Sequence, residues 1–164
     1  MSEETGVNPF GREKRGSRII VSAKEARTED GVVFDSKHEM KVYKFLRDNF
    51  GRDTFELQPK FLLQESFRDT DNVLRREILY KGDFIFGPKR KAKDSPITSK
   101  HTVVDAKGMQ DAVFKMKHKM FLYKYKQPLY LPRLVRDLEA IASVLESKGY
   151  KRLPQEKKTK KTRG

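Results

Sequence analysis

The chain has 164 residues, no cysteine, three histidines and a formal net charge of +14. That length suits one domain with a single modest core, and the absent cysteines exclude disulfides and thiolate-metal sites, while three scattered histidines argue against zinc. No apolar run nears the ~18 residues of a membrane span and no signal-peptide core opens the sequence, so a cytoplasmic protein without membrane contact is expected.

Residues 1–30 are charge-neutral, polar and without a sustained apolar period, and they read as a flexible arm with a short ordered piece near Arg18–Val21. The domain proper is expected over 31–150, which carries +8 of the excess charge; residues 151–164, at +6, read as a disordered basic tail. Because the folded part is itself basic, a polyanion, in practice nucleic acid, is the expected partner.

After the extended run Gly31-Val-Val-Phe-Asp, Ser36 and Glu39 have capping-box spacing and open a helix over Lys37–Phe50. Its apolar stripe is Met40, Val42, Tyr43, Leu46 and Phe50, and Gly51 stops it. The run Phe55–Leu63 is β-like, with Pro59 confining part of it to an edge or bulge, and Gln64–Asn72 is a polar loop. Leu74–Phe86 reads as one long strand or two meeting at Gly82. Gly87–Lys100 is a loop carrying Lys89, Arg90, Lys91, Lys93 and Lys100 against Asp94 alone. His101–Lys107 is the next strand.

Asp111 caps a helix over Ala112–Tyr125, in which Val113, Met116, Met120 and Tyr123 follow helical spacing and Phe114, Phe121 and Tyr125 widen the apolar stripe. Leu129-Tyr-Leu is a short strand, parallel to the one before it if the helix crosses between them. Arg133–Lys148 is the cleanest helix, striped by Leu134, Val135, Leu138, Ile141, Ala142 and Leu145 and stopped by Gly149. Helix, strands, helix, strand and helix in this order indicate an α/β fold with a mixed central sheet and flanking helices.

Charged residues inside apolar strands require a reason. Asp83 precedes Phe84-Ile85-Phe86, while Asp105 and Lys107 follow Val103-Val104 two positions apart, so both side chains leave one face. Strand pairing would bring the two acids together, where carboxylates bind Mg²⁺ or Mn²⁺. Such an ion stabilises charge on a phosphate and lowers the pKa of an attacking water, and Lys107 could assist either. A surface ion-pair patch is the plainer alternative. For Glu39 the spacing alone favours a capping role. Gln58 and Gln110 lie near enough in sequence to orient a phosphate or water, with strand-edge or turn hydrogen bonds as the ordinary alternative.

The motifs Phe34-Asp-Ser-Lys-His-Glu39, Leu57-Gln-Pro-Lys-Phe61, Tyr80-Lys-Gly-Asp83-Phe, Val104-Asp-Ala-Lys-Gly108 and Phe114-Lys-Met-Lys-His-Lys-Met-Phe-Leu-Tyr123, in this order and spacing, resemble the PD-(D/E)xK nuclease superfamily. The nearer resemblance is to a phage-encoded branch related to Holliday-junction resolvases of the phage endonuclease I type. It implies a restriction-endonuclease-like sheet, a Mg²⁺-dependent endodeoxyribonuclease and a catalytic set of Glu39, Asp83, Asp105 and Lys107, with the three acids as metal ligands. Gly82 stands where the superfamily often has proline, and Asp105 where glutamate is commoner. The resemblance further implies branched or junction DNA as substrate in recombination, a homodimer, and a DNA-facing helix presenting Lys115, Lys117 and Lys119. Lys89, Arg90 and Lys91 suit sequence-independent phosphate contacts. Another DNA nuclease of nicking or restriction type, or an inactive nucleic-acid-binding module, would fit the same residues.

Overall fold

The computed structural model describes residues 22–155. The piece expected near Arg18–Val21 and most of the basic tail lie outside them.

Three helices and ten short strands make a layered α/β domain. A hairpin of β1 (Thr28–Glu29) and β2 (Val32–Val33) leads into α1 (Lys37–Phe50), then β3 (Phe55–Leu57) and β4 (Lys60–Gln64). A ribbon of β5 (Phe67–Arg68) and β6 (Leu74–Arg75) precedes β7 (Ile78–Lys81) and β8 (Phe84–Phe86). The chain ends through β9 (Thr102–Val104), α2 (Ala112–Tyr125), β10 (Leu129–Tyr130) and α3 (Val135–Ser147).

The central sheet runs β10-β9-β8-β3, with β10 parallel to β9 and the other pairs antiparallel. The mixed sheet and the parallel pair joined across α2 match the sequence reading. Leu74–Phe86 is interrupted at Gly82 and, beyond the expectation, also after Arg75: β6 pairs with β5, β7 with β4, and β8 with β3 and β9. The break is a double kink, because Gly82 N–H donates to Pro59 O (3.0 Å) and Gln58 N–H to Asp83 O (2.8 Å). A Cβ at Gly82 would stand 3.3 Å from the Phe61 ring, tighter than an ordinary contact, so the smallest residue occupies the bend.

Period-two alternation sends neighbouring residues of one strand to opposite faces. Phe84, Phe86 and Val104 join Val42, Tyr43, Leu46 and Phe50 of α1 and Ile141, Ala142 and Leu145 of α3 in one core. Ile85 and Val103 instead pack with Phe61, Tyr80 and the α2 residues Phe114, Phe121 and Tyr125. The stripes expected on α1 and along most of α3 are therefore the ones buried, although Leu134 and Val135 at the start of the α3 stripe are exposed.

On α2 the expectation is reversed. Val113, Met116 and Tyr123 face outward and Met120 is half-buried, while Phe114, Phe121 and Tyr125 take the core. The aromatic rings win because they bury more apolar area and interlock with Phe61 and Tyr80, edge-on for Phe61–Phe121 at 5.1 Å between centroids. A helix apolar on more than one side cannot bury every side against one sheet.

Both outer boundaries also move. Residues 22–30 of the expected arm pack on the domain, with Arg47 of α1 pairing Glu29 (2.8 Å) and Asp30 (2.6 Å). The first tail residues return to the domain: Leu153 N–H donates to Asn49 O, and Arg152 pairs Glu139 and Glu146. No helix among the described residues is long and apolar enough to cross a membrane.

Candidate active site

Three chain segments meet at one end of the β8–β9 pair. The start of α1 supplies Glu39, the bend before β8 supplies Asp83, and the residues after β9 supply Asp105 and Lys107. All four line one small cavity of about 200 Å³, together with Asp35 and Ser36.

Each acid is fixed by a different local device. Ser36 caps α1 by accepting from Glu39 N–H at 3.0 Å, and the Glu39 carboxylate returns to accept from Asp35 N–H at 3.0 Å. The capping role is real, and it aims the side chain into the cavity rather than competing with a second role. Asp83 Oδ2 accepts from Ala106 N–H at 2.7 Å, which ties the bend to the segment between Asp105 and Lys107. Ladder pairing of β9 ends at Val104, so Asp105 and Lys107 lie beyond the strand expected over His101–Lys107. Asp105 N–H still donates to Tyr130 O at 2.9 Å, which carries the parallel register one residue further. The buried Tyr80 hydroxyl donates to Asp105 Oδ2.

The electrostatics are dominated by burial and by the acids' mutual repulsion, with Lys81 acting in the opposite sense on Glu39. Glu39 and Asp105 are only 4% and 1% exposed, so water does little to screen them. Burial, then the Asp105 and Glu39 charges, push the Asp83 carboxyl up to about 8. Glu39 is likewise raised, chiefly by burial. Burial and the Asp105 charge raise the Tyr80 hydroxyl, keeping it a neutral donor. Lys107 is exposed at the rim, its Nζ 5.6 Å from the centroid of the Phe114 ring.

Glu39, Asp83 and Asp105 are the groups that could hold a cation. Each uses one oxygen on a protein N–H or O–H donor, and the Asp83 and Asp105 carboxyls stand within hydrogen-bonding reach of each other. This all-oxygen set suits Mg²⁺ or Mn²⁺. As the side chains stand, no three acids or histidines among the described residues converge closely enough to coordinate one ion. The set is thus fitting in donor chemistry but not gathered into a coordination shell.

The other sequence candidates divide. Gln58 is exposed at the kink and Gln110 half-buried, and neither lines the cavity. Arg90 faces inward, its guanidinium donating to Lys60 O, Lys93 O and Ser95 O and stacking 4.6 Å over the Phe61 ring. It therefore clamps its loop to β4, whereas Lys89 and Lys91 are exposed. Lys115 and Lys119 project outward from α2; Lys117 is half-buried. Sequence reasoning missed Asp35 and Tyr80 as site residues. Asp35 had a signal in its place beside the cap, but Tyr80 looked like an ordinary strand aromatic.

A family model described as "Protein of unknown function (DUF1064)" matches residues 21–140, and the chain belongs to that family. The matched span includes every residue of the cavity. No curated protein and no solved structure matches the chain at a significant level.

Proposed function

We propose that this member of the DUF1064 family is a divalent-cation-dependent DNA endonuclease of the PD-(D/E)xK kind. The observation that carries the reading is the meeting of Glu39, Asp83, Asp105 and Lys107, from separated segments, around one cavity in which burial and neighbouring carboxylates raise the Asp83 and Glu39 carboxyls. Holding that much negative charge together is costly unless something positive binds there.

Glu39, Asp83 and Asp105 would hold Mg²⁺ or Mn²⁺, which supplies charge neutralisation at the phosphate and a more acidic bound water. Tyr80 fixes the orientation of Asp105 through its hydroxyl. The Asp83 proton must leave before the carboxylate can act as a ligand. Lys107, free at the rim, neutralises the scissile phosphate or orients the attacking water. Exposed lysines of the α2 surface and of the loop after β8 supply phosphate contacts that weaken with salt. Branched DNA as the preferred substrate, recombination as the setting and a homodimer as the working form rest on the family resemblance.

The test is cleavage of a four-way junction and of matched plain duplex by the purified chain, with Mg²⁺ and with EDTA. The reading predicts Mg²⁺-dependent cleavage that Asp83→Ala and Lys107→Ala each reduce by a factor of roughly 100 or more. Cleavage that survives EDTA or both substitutions would refute the site. Equal rates on junction and duplex would remove the junction preference and leave a general DNA nuclease. Binding without cleavage would make the protein a nucleic-acid-binding module.

A further inference from the structure

The outward side of α2 borders a second, larger hollow of about 750 Å³ against Leu63 of β4. Its apolar surface comes from Met116, Met120 and Tyr123, of which Met116 is 53% and Tyr123 78% exposed. The charged side chains that line it are all lysines: Lys119, Lys124 and Lys126. Lys126 Nζ lies 4.3 Å from the centroid of the Tyr123 ring. Helical spacing places Met116, Lys119, Met120 and Tyr123 on one side of α2, and Lys126, left-handed just past the helix end, sets its ammonium beside the Tyr123 ring.

An occupant must cover a ring and two thioethers and also bring negative charge. A second copy of the chain does not, because a symmetric contact sets each patch against itself and opposes lysine to lysine. An acidic peptide brings the charge but offers no flat face to the ring. Duplex DNA brings phosphates yet keeps its base faces stacked away. A strand with unpaired bases offers both at once: π-faces for Tyr123 and regularly spaced phosphates for the lysines.

We propose that this groove binds an unpaired stretch of DNA, with a base stacked on Tyr123 beside Met116 and Met120 and flanking phosphates neutralised by Lys119, Lys124 and Lys126. The inference rests on the nuclease reading for its choice of DNA, and it adds an unpaired segment to the substrate. Phe114, which neighbours Lys107, lies nine residues before Tyr123 on the same helix. The stacking platform is therefore ~13 Å beyond Phe114 along the helix axis and on the opposite side of α2.

The test is binding, measured in EDTA so that cleavage plays no part. Fluorescence anisotropy would compare labelled oligothymidylate with a blunt duplex of equal length, for the full chain and for two variants. Tyr123→Ala should weaken oligothymidylate binding about ten-fold and leave the duplex within about two-fold. Lys119→Gln with Lys124→Gln should make the dependence of log affinity on log salt shallower by about 1.4. Far-ultraviolet circular dichroism and thermal melting confirm that the variants fold. The proposal is overturned if wild type does not bind oligothymidylate, if Tyr123→Ala changes nothing, or if it weakens both DNAs alike. It is also overturned if polyglutamate displaces the strand as well as unlabelled oligothymidylate does, since charge alone would then explain the groove. Loss of cleavage with groove binding intact would refute the nuclease reading alone.

Discussion

Helices α1 and α2 each have 14 residues and pack on opposite faces of the sheet, yet they distribute their apolar side chains differently. α1 buries Val42, Tyr43, Leu46 and Phe50 and turns charge to solvent. α2 buries Phe114, Phe121 and Tyr125 and still presents Val113, Met116 and Tyr123 outward. The α1 side is closed and holds Glu39 at the cavity; the outer side of α2 is open. Apolar surface that the core does not require points to a partner, whereas apolar surface that the core does require points only to stability.

Substitutions on the two helices should separate those roles. The largest effect belongs to the closed side: Leu46→Ala, at a fully buried position, should cost ~3 kcal/mol in denaturant unfolding. Equal midpoints for Leu46→Ala and wild type would break the contrast.

Next comes the charge trapped beside the closed core. In the folded state the Asp83 carboxyl is raised from 3.8 to about 8, so folding favours its protonated form. Its stabilising contribution is full below the unfolded value and is lost as pH rises through about 8. Asp83→Asn keeps an acceptor for Ala106 N–H but cannot ionise. Without divalent cations the variant should therefore be more stable than wild type at pH 8, by several kcal/mol, and the gain should vanish toward pH 4. Thermal melts across that window decide it; a gain independent of pH would contradict the assignment.

Tyr80→Phe should act more narrowly. The ring keeps its packing against Phe61 and Phe121, while Asp105 loses its donor. Cation affinity should fall by about 10- to 100-fold, read by Mn²⁺ titration, with a modest loss of stability. The smallest effects are expected at Gln58→Ala and Gln110→Ala. Neither residue lines the cavity, and cleavage rates should match wild type.

Much of this was legible in the sequence, for reasons particular residues make plain. α1 and the middle of α3 each carry one apolar stripe, and a single stripe has one way to be buried. The meeting of Asp83 and Asp105 followed from strand pairing, whereas Glu39 joined them only through the family resemblance, since its spacing by itself pointed to a cap. The α2 face was not legible because its apolar positions outnumber one stripe, and the choice depends on Phe61 and Tyr80 across the sheet. Tyr80 was hidden for a similar reason, since only the fold shows that its hydroxyl meets Asp105. Arg90 looked like one more phosphate contact until its carbonyl partners in β4 and its own loop came together. Residues 22–30 and 151–155 depend on distant partners such as Arg47–Glu29 and Leu153–Asn49, which local composition does not report.

The central claim is that the carboxylate cavity holds a divalent cation, and calorimetric titration of Mn²⁺ into the metal-free chain tests it most directly. At pH 7, repeated in buffers of different ionisation enthalpy, wild type should bind the ion with release of protons, because Asp83 must lose its proton to become a ligand. Asp83→Asn should weaken binding sharply and abolish most of that release. Absence of binding by wild type, or binding and proton release unchanged in Asp83→Asn, would contradict the account.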